Sequence, residues 1–140
     1  MLQEFSIFVE DNFSELERLL RLIGESKIDI KSWCLVEAGN YSILRIIFDK
    51  NLLCEEILTQ NNFTFNINKV LAILVEDKPG ELYKIISLFV NSGISIKYAY
   101  QIQSKFIRHN CLIVNAKDVE NSEKLIKNNK SIKLLNIEDI

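Results

Sequence analysis

Apolar residues alternate or cluster along the chain in two stretches that predict β-strands. An apolar residue stands at every second position from Phe5 to Val9, which predicts a strand over residues 3–10 with one buried face. Residues 70–75 form an unbroken apolar run, too short for a buried helix and rich in branched side chains, which predicts a strand over residues 69–76. Apolar residues at helical spacing follow both runs, so a helix should follow each strand. These residues are Leu16, Leu19, Leu20 and Ile23 after the first run, and Leu82, Ile85, Ile86 and Phe89 after the second.

The turn after the second run reads Glu76-Asp77-Lys78-Pro79-Gly80-Glu81-Leu82. Pro79 suits the first helical position, because its missing N–H would have no partner there. Gly80 lets another group approach the backbone closely. The pattern predicts a helix over residues 80–91 whose free N–H groups can hold a carboxylate. An ordinary strand-turn-helix without a ligand is the alternative.

The chain repeats itself at an offset of 66 residues, at which Val9 falls on Val75. The aligned identities are Val9-Glu10-Asp11 with Val75-Glu76-Asp77, Glu15-Leu16 with Glu81-Leu82, Ile28 with Ile94, Ile30-Lys31 with Ile96-Lys97, and Ile7 and Ile47 with Ile73 and Ile113. Identities at equivalent junctions indicate two copies of one unit, joined near Asn66.

Each copy predicts the element order β-α-β-β-α-β. In the first copy Ser14 and Glu17 have the spacing of a reciprocal helix cap, the helix ends near residues 25–26, and strands over 29–37 and 41–48 flank a turn. A helix around 52–58 and a strand over 63–67 complete the first copy. The second copy predicts strands over 94–103 and 106–115, a helix over 119–129 and a last strand over 132–137, with Gly93 ending its first helix. The predicted fold class is α+β: two ferredoxin-like βαββαβ units, 1–66 and 67–140, with antiparallel sheets and helices on one face.

Composition and charge argue against several classes of function. With 17 Lys and Arg against 19 Asp and Glu, the net charge of −2 argues against a general nucleic-acid binder. Neither a leader pattern nor an apolar segment long enough to span a bilayer is visible, so we expect a cytoplasmic protein without a membrane partner. Cys34, Cys54 and Cys111 stand among apolar residues, which predicts buried free thiols. The single histidine, His109, has no second ligand nearby, so we expect no metal and no cofactor.

The turn at residues 76–82, followed by Gly93-Ile94-Ser95-Ile96 at the start of the next strand, makes the chain similar to a tandem pair of ACT domains. ACT domains are small regulatory modules that bind amino acids and related metabolites. The resemblance covers essentially the whole chain and is nearest to stand-alone proteins made of two ACT copies. It implies domains that pair side by side in a continuous sheet and hold an effector near their junction, in the turn after the first strand.

Carried over to the second copy, the resemblance implies eight ligand-binding residues: Asp77, Lys78, Pro79, Gly80, Glu81, Leu82, Ile94 and Ser95. Backbone N–H groups near Gly80 would take the carboxylate of an amino acid, and Asp77 with the Ser95 hydroxyl or carbonyl would take its ammonium group. The alternatives are a plain helix cap for Asp77 and a solvated surface side chain for Lys78.

The first copy departs from the family pattern, because Phe13 and Ser14 stand where Pro and Gly are expected. Its candidate second site comprises Asp11, Asn12, Phe13, Ser14, Ile28 and Asp29. Two acidic groups, Asp11 and Asp29, would favour a cation over a carboxylate, so this site could be weakened, altered in ligand or purely structural. Phe13 could instead pack on the helix start as a hydrophobic staple.

Aromatic and apolar residues on the predicted sheets suggest further contacts. Trp33, Tyr98 and Tyr100 lie on the second strands of the two copies, where they could wall the effector pocket or a dimer contact; ordinary packing is the interpretation we favour. Phe8, Ala72 and Leu74 make the second sheet face too apolar for water, which predicts a covering partner, most simply a second copy of the chain.

An enzyme and an RNA-binding module are the competing functions. No Ser or Cys is paired with a plausible base, and the adjacent carboxylates of Glu76 and Asp77 project in different directions. RNA-recognition modules share the element order, but the third strands here lack their aromatic and Lys/Arg-Gly signature. We therefore predict no catalytic residues and a non-enzymatic, allosteric, homodimeric protein that binds an amino acid and acts on an enzyme or regulator. A detached regulatory subunit of an amino-acid biosynthetic enzyme is the alternative within the family.

Overall fold

A computed structural model describes residues 1–10 and 13–140 of the chain. The described residues form two compact units. The first unit is Gln3–Asn68, and the second is Met1–Leu2 together with Lys69–Ile140. The domain bounds 1–66 and 67–140 stay a prediction.

The first unit carries two helices on one face of an antiparallel sheet. Its elements are β1 (Leu2–Glu10), α1 (Phe13–Glu25), β2 (Ile30–Glu37), β3 (Tyr41–Phe48), α2 (Asn51–Gln60) and the beginning of β4 (Thr64–Glu76). β3 pairs antiparallel with both β1 and β2, and β4 neighbours β1. Phe5, Ile7 and Val9 of β1 are buried in one core with Leu19 and Ile23 of α1, so the alternation in the sequence did mark the core face.

The second unit repeats this order. The rest of β4 is followed by α3 (Glu81–Asn91), β5 (Ile96–Gln103), β6 (His109–Ala116) and α4 (Val119–Asn128). β6 pairs antiparallel with β4 and with β5. Leu71, Ile73 and Val75 of β4 share a core with Ile85 and Phe89 of α3. The predicted α+β class with two βαββαβ units is confirmed.

The last predicted strand, over residues 132–137, is wrong in extent. Residues 133–135 pair with β4 through a single bridge between Ile73 and Leu134, flanked by two backbone hydrogen bonds. After this bridge the chain turns into a 3-10 helix, Ile137–Asp139, where the Asp139 carboxylate accepts from the Asn136 N–H at 2.9 Å. This local hydrogen bond offers the backbone an alternative to the ladder, so the pairing stops.

The break predicted between a closing strand at 63–67 and a new strand at 69–76 does not exist. β4 runs without interruption from Thr64 to Glu76, and Asn66 lies inside it. One strand therefore closes the first unit and opens the second.

The offset between the copies changes from 66 to 68 residues in the middle of the unit. β2 and β5 begin at Ile30 and Ile96, whereas β3 and β6 begin at Tyr41 and His109. The cause is the connection before the third strand, which comprises residues 38–40 in the first unit and 104–108 in the second. Leu44 opposite Ile7 thus corresponds to Leu112 opposite Ile73, and the match of Ile47 with Ile113 is wrong.

The first helices of both units end in the same way. Gly93 has φ +67 and Lys27 has φ +53, and the next residues, Ile94 and Ile28, donate to Phe89 and Ile23 carbonyls. This is the Schellman arrangement, in which a residue in the left-handed region satisfies the last carbonyls of the helix. The helix end predicted at Gly93 is confirmed.

The sheet face opposite the helices carries a polar cluster around Ser6 in the first unit, and the corresponding position of the second unit is apolar. Ser6 Oγ accepts from Arg45 Nη1 and from Asn68 Nδ2, both at 2.9 Å. The residue corresponding to Ser6 is Ala72, which is 2% exposed in the single chain. The burial of Ala72 therefore does not need a second copy of the chain, and the homodimer stays a prediction.

Candidate functional site

The turn between β4 and α3 is held by a left-handed glycine. β4 ends at Glu76, α3 begins at Glu81, and Gly80 is the N-cap residue with φ 90° and ψ −11°. The expectation that Pro79 occupies the first helical position and that the helix begins at Gly80 is therefore wrong. Gly80 must leave the helical region to turn the chain, which an L side chain resists. A Cβ placed on Gly80 would meet no atom within 4 Å, so the backbone here faces open space.

The hydrogen bonds of the turn leave donors free at the helix start. The Asp77 N–H donates to the Arg108 carbonyl at 2.8 Å, and the first helical bond runs from the Lys84 N–H to the Gly80 carbonyl at 3.2 Å. In the described part of the chain the N–H groups of Leu82 and Tyr83 have no acceptor. Free donors at a helix N-terminus, where the helix dipole is positive, favour an anionic group.

Two ion pairs flank the turn. Lys78 Nζ lies 2.5 Å from Glu76 Oε1, and this hydrogen bond lowers the pKa of Glu76 and raises the pKa of Lys78. Lys84 pairs with Glu81 on the first turn of α3. Asp77 is exposed and its carboxylate has no partner among the described residues, so it is not a helix cap. Among the described acids of the turn, Asp77 is therefore the one whose carboxylate has no cation partner.

The structure places Ser95 and Asp77 in different cavities. Ile94 and Ser95 line one of about 390 Å³ with Phe89 and Val90 of α3. Asp77 lines another, of about 310 Å³, against the loop between β5 and β6. The Ser95 carbonyl accepts from the Lys117 N–H at 2.9 Å. The predicted pairing of Asp77 with Ser95 on one ammonium group therefore stays a prediction.

A larger groove, of about 490 Å³, begins beside the turn. We call it the α3 groove; it lies between α3 and residues 129–133, over the end of β4. Glu76 and Glu81, on either side of the turn, line it together with His109. The sequence analysis missed this groove, because the helical spacing of Ile85 marks a core face and does not reveal where the core is left incompletely covered.

The first unit has Phe13 and Ser14 where Pro79 and Gly80 stand in the second. Asp11 and Asn12 lie outside the described residues. α1 begins at Phe13, so Ser14 is inside the helix and the cap predicted for it with Glu17 is wrong; Glu15 Oε2 instead accepts from the Glu10 N–H at 3.3 Å.

The remaining residues of the candidate second site are dispersed. Phe13 is 67% exposed and lines a cavity of about 380 Å³ with Leu35, Glu37 and Ser42. Ile28 is buried in the core, and Asp29 Oδ2 pairs with Lys31 Nζ at 2.9 Å. Ile28 is thus a packing residue, and the Asp29 carboxylate already has a cation.

A family model described as an ACT domain pair matches residues 1–139. The chain belongs to this family.

Solved structures share the fold of this ACT pair. Protein BT0572 from Bacteroides thetaiotaomicron is 23% identical, with a TM-score of 0.88 over 96% of this chain and 91% of that one. The ligand-free regulatory subunit of aspartate kinase from Thermus thermophilus is 12% identical, with a TM-score of 0.61 over 90% of this chain and 89% of that one. Among curated proteins, the energy-coupling factor transporter ATP-binding protein EcfA1 of Lactobacillus gasseri is 31% identical over 111 residues, 71% of this chain. The chain spans 38% of that protein's length.

The contacts of the His109 ring decide whether it has the partners of a catalytic histidine. Glu76 lies opposite His109 in the β4–β6 register, so a carboxylate does stand near the histidine. Glu76 is bonded to Lys78, however, and His109 Nδ1 lies 2.8 Å from the Ile107 carbonyl. Among the described residues no hydroxyl or thiol is hydrogen-bonded to the His109 ring, and no three His, Cys, Asp or Glu side chains are grouped to hold a metal. The arrangement is a cross-strand contact without a nucleophile.

The aromatic residues of the second strands lie where they were predicted, on β2 and β5. Trp33 is 59% exposed, and Tyr98 and Tyr100 are half-buried. Among the described helices of the ACT pair, none is long and apolar enough to cross a membrane.

Proposed function

We propose that this ACT pair is a non-enzymatic regulatory protein that binds an amino acid at the turn between β4 and α3. The ligand-binding residues in this proposal are Asp77, Lys78, Pro79, Gly80, Glu81, Leu82, Ile94 and Ser95. The ligand's carboxylate meets the free N–H groups at the start of α3, and Asp77 receives its ammonium group.

The conformation of Gly80 is the observation that carries the proposal. Its positive φ turns the chain into α3, and the open space over its Cα gives a ligand access to the helix start. The free Leu82 and Tyr83 N–H groups and the unpaired Asp77 carboxylate then present opposite charges within one turn. An α-amino acid carries the matching pair of charges.

The position of Ser95 supports a site that is completed by a further surface. Ser95 is exposed and lines a cavity apart from Asp77, so in a single copy it is available to a second chain. We propose a homodimer in which Ser95 and Ile94 of one chain meet the turn of the other. In this arrangement the second unit holds the working site, and the altered turn of the first unit is structural.

Regulation of an enzyme is the biological role we propose. Regulatory subunits of aspartate kinase from Thermus thermophilus and Thermus flavus share this fold. A bound amino acid changes the activity of a partner only if its affinity differs between two states of the complex. ATP binding is not part of the proposal, because none of the four glycines is followed by Lys, as a phosphate-binding loop requires.

Thermal unfolding in the presence of each protein amino acid tests the proposal. A ligand at 100 times its Kd should stabilise the folded chain by about 2.7 kcal/mol. Asp77→Asn should remove this stabilisation, because the ammonium group loses its counter-charge, while Glu120→Gln, at an exposed acid in the first turn of α4, is the matched control. Turnover of the stabilising amino acid, followed by mass spectrometry, should be absent.

Three results would each contradict one part of the proposal: the lack of catalysis, the place of the ligand and the dimer. Product formation from the ligand would show an enzyme. A ligand shift that survives both Asp77→Asn and Gly80→Ala would place the ligand elsewhere. Sedimentation as a monomer in the presence of ligand would remove the second chain from the site.

A further inference from the structure

The α3 groove has the size and surface of a small-molecule site of its own. Its volume of about 490 Å³ lies within the range of about 300–1,000 Å³ typical of ligand pockets. Apolar side chains line it from α3 and from the residues after α4, namely Ile85, Leu88 and Ile132. Groups of both charges line it as well: Glu76 and Glu81, and Lys84 and Lys133.

The first unit has an aromatic ring and a guanidinium at the corresponding place. There the core-facing residue after α2 is Phe63, 6% exposed, and the Arg18 guanidinium lies 4.3 Å from its ring centre. Arg18 Nη2 also donates to the Asn61 carbonyl at 3.5 Å. An aromatic ring and a stacked guanidinium thus fill the space between the first helix and the end of the second.

In the second unit neither filling group is present. The core-facing residue after α4 is Ile132, and the residue corresponding to Arg18 is Lys84, which pairs with Glu81 on its own helix as Arg18 does with Glu15. An aliphatic side chain occupies less space than a phenyl ring, and an ammonium group has no planar face to stack as a guanidinium does. The groove is therefore a consequence of two side-chain differences between otherwise equivalent units.

The cations of the groove can receive an anion. Lys133 Nζ lies 4.5 Å from the centre of the Phe106 ring, and among the described residues it has no carboxylate partner. The pair of Lys84 and Glu81 is on the surface, where exchanging a partner costs little, typically about 0–1 kcal/mol. Releasing Lys84 to a ligand carboxylate frees the Glu81 carboxylate for a ligand ammonium group.

We propose that the α3 groove, which adjoins the β4–α3 turn and shares Glu81 with it, binds a zwitterion with an apolar body, the class of an aliphatic or aromatic α-amino acid. The apolar body lies on Ile85, Leu88 and Ile132, and the charged groups meet Lys84, Lys133 and Glu81. The site contains neither Asp77 nor Gly80, so it stands whether or not the turn binds a ligand.

Methyl NMR of the full chain tests the site with defined probes. L-leucine and L-phenylalanine, titrated to about 10 mM, should shift the methyl signals of Ile85, Leu88 and Ile132 in a saturable way. Three probes each lack one required feature: glycine has no apolar body, 3-methylbutylamine no carboxylate and 4-methylpentanoate no ammonium group. Each should bind at least about tenfold more weakly than L-leucine.

One variant fills the groove, and another removes a positive charge from it. Lys84→Arg with Ile132→Phe rebuilds the filling seen in the first unit, so it should fold and abolish the saturable shifts. Lys133→Gln removes a surface cation and should weaken binding about fivefold or more without a change in fold. Lys124→Gln, an exposed lysine on α4 outside the groove, is the matched control.

The outcomes separate this site from the turn. Saturable shifts that are lost in the filled variant and kept in Asp77→Asn support the groove. Shifts lost in Asp77→Asn and kept in the filled variant place the ligand at the turn and overturn the groove proposal. An absence of saturable methyl shifts with both amino acids overturns it as well, whatever the thermal screen finds at the turn.

Discussion

The Ser6 hydroxyl is the centre of a polar cluster on the helix-free sheet face of the first unit. It is 5% exposed and accepts hydrogen bonds from Arg45 and Asn68 side chains. Ser6→Ala nearly preserves volume but leaves both donors without this acceptor. We expect a loss of about 2–3 kcal/mol in the free energy of unfolding, measured with urea.

The control for Ser6→Ala is Ser87→Ala on α3. Ser87 is half-buried and its hydroxyl makes no hydrogen bond among the described residues, so the change should stay within about 0.5 kcal/mol. Equal effects of the two substitutions would show that the Ser6 bonds contribute nothing to stability.

The three cysteines should differ in reactivity. Cys54 and Cys111 are fully buried, and burial raises the pKa of each thiol to about 12. Near pH 8 only roughly one such thiol in ten thousand is ionised, and reagents cannot reach it. Cys34 is half-buried. We expect a thiol reagent to modify Cys34 alone in the native protein and all three cysteines in denaturant, as peptide mass mapping can show. Rapid labelling of native Cys34→Ser protein would contradict this.

At the scale of the element, two glycines should respond to alanine with opposite signs. Gly80 has φ 90°, and Gly24 lies within the last turn of α1; neither Cβ would meet an atom within 4 Å. Because neither alanine would clash, the backbone conformation determines the sign of each stability change. Gly80→Ala should cost about 1–2 kcal/mol through the left-handed conformation, and Gly24→Ala should stabilise by about 0.5–1 kcal/mol. Urea unfolding measures both, and a stabilising Gly80→Ala would contradict the observed turn.

The hydrophobic pattern predicted strands and faces well, but not the register between copies. β3 was predicted at its observed bounds, and Gly93 at the end of its helix. The longer β5–β6 loop shifts the offset by two residues, and a shift of two leaves every side chain on the same face of a strand. The alternation of apolar and polar residues therefore cannot detect the two-residue shift, and the false match of Ile47 with Ile113 follows.

Local signals near the site were harder to interpret. Pro79 is compatible with a first helical position, but the left-handed conformation of Gly80 places the helix start after it. The closing segment alternates Ile132 and Leu134 as a strand would, yet the Asn136–Asp139 hydrogen bond ends its pairing. The α3 groove depends on Phe63 and Ile132 differing in size, which is visible only once the two units are compared in space.

At the scale of the whole molecule, one fold occurs twice with its specialised features in different places. The first unit has the Ser6 polar cluster and the filled space at Phe63. The second has the left-handed glycine turn and the α3 groove. The family and fold follow from the shared pattern, whereas the candidate sites follow from the positions at which the copies differ.

The stability of the whole chain should fall in acid through two half-buried carboxylates, those of Glu76 and Glu123. Hydrogen bonds from Lys78 to Glu76 and from Lys127 to Glu123 hold the pKa of each acid below its ordinary value of 4.5. Because the folded pKa is lower than the unfolded one, the stability they contribute is present above about pH 4.5 and is lost as pH falls through the folded pKa values.

Urea unfolding between about pH 6 and pH 3 should show a decline that Lys78→Gln with Lys127→Gln makes shallower. Lys97→Gln with Lys124→Gln removes the same charge from exposed lysines outside both pairs and should leave the additional decline in place. Equal slopes for the two double variants would show that the ion pairs do not set the acid limit, because general charge repulsion alone would then account for it.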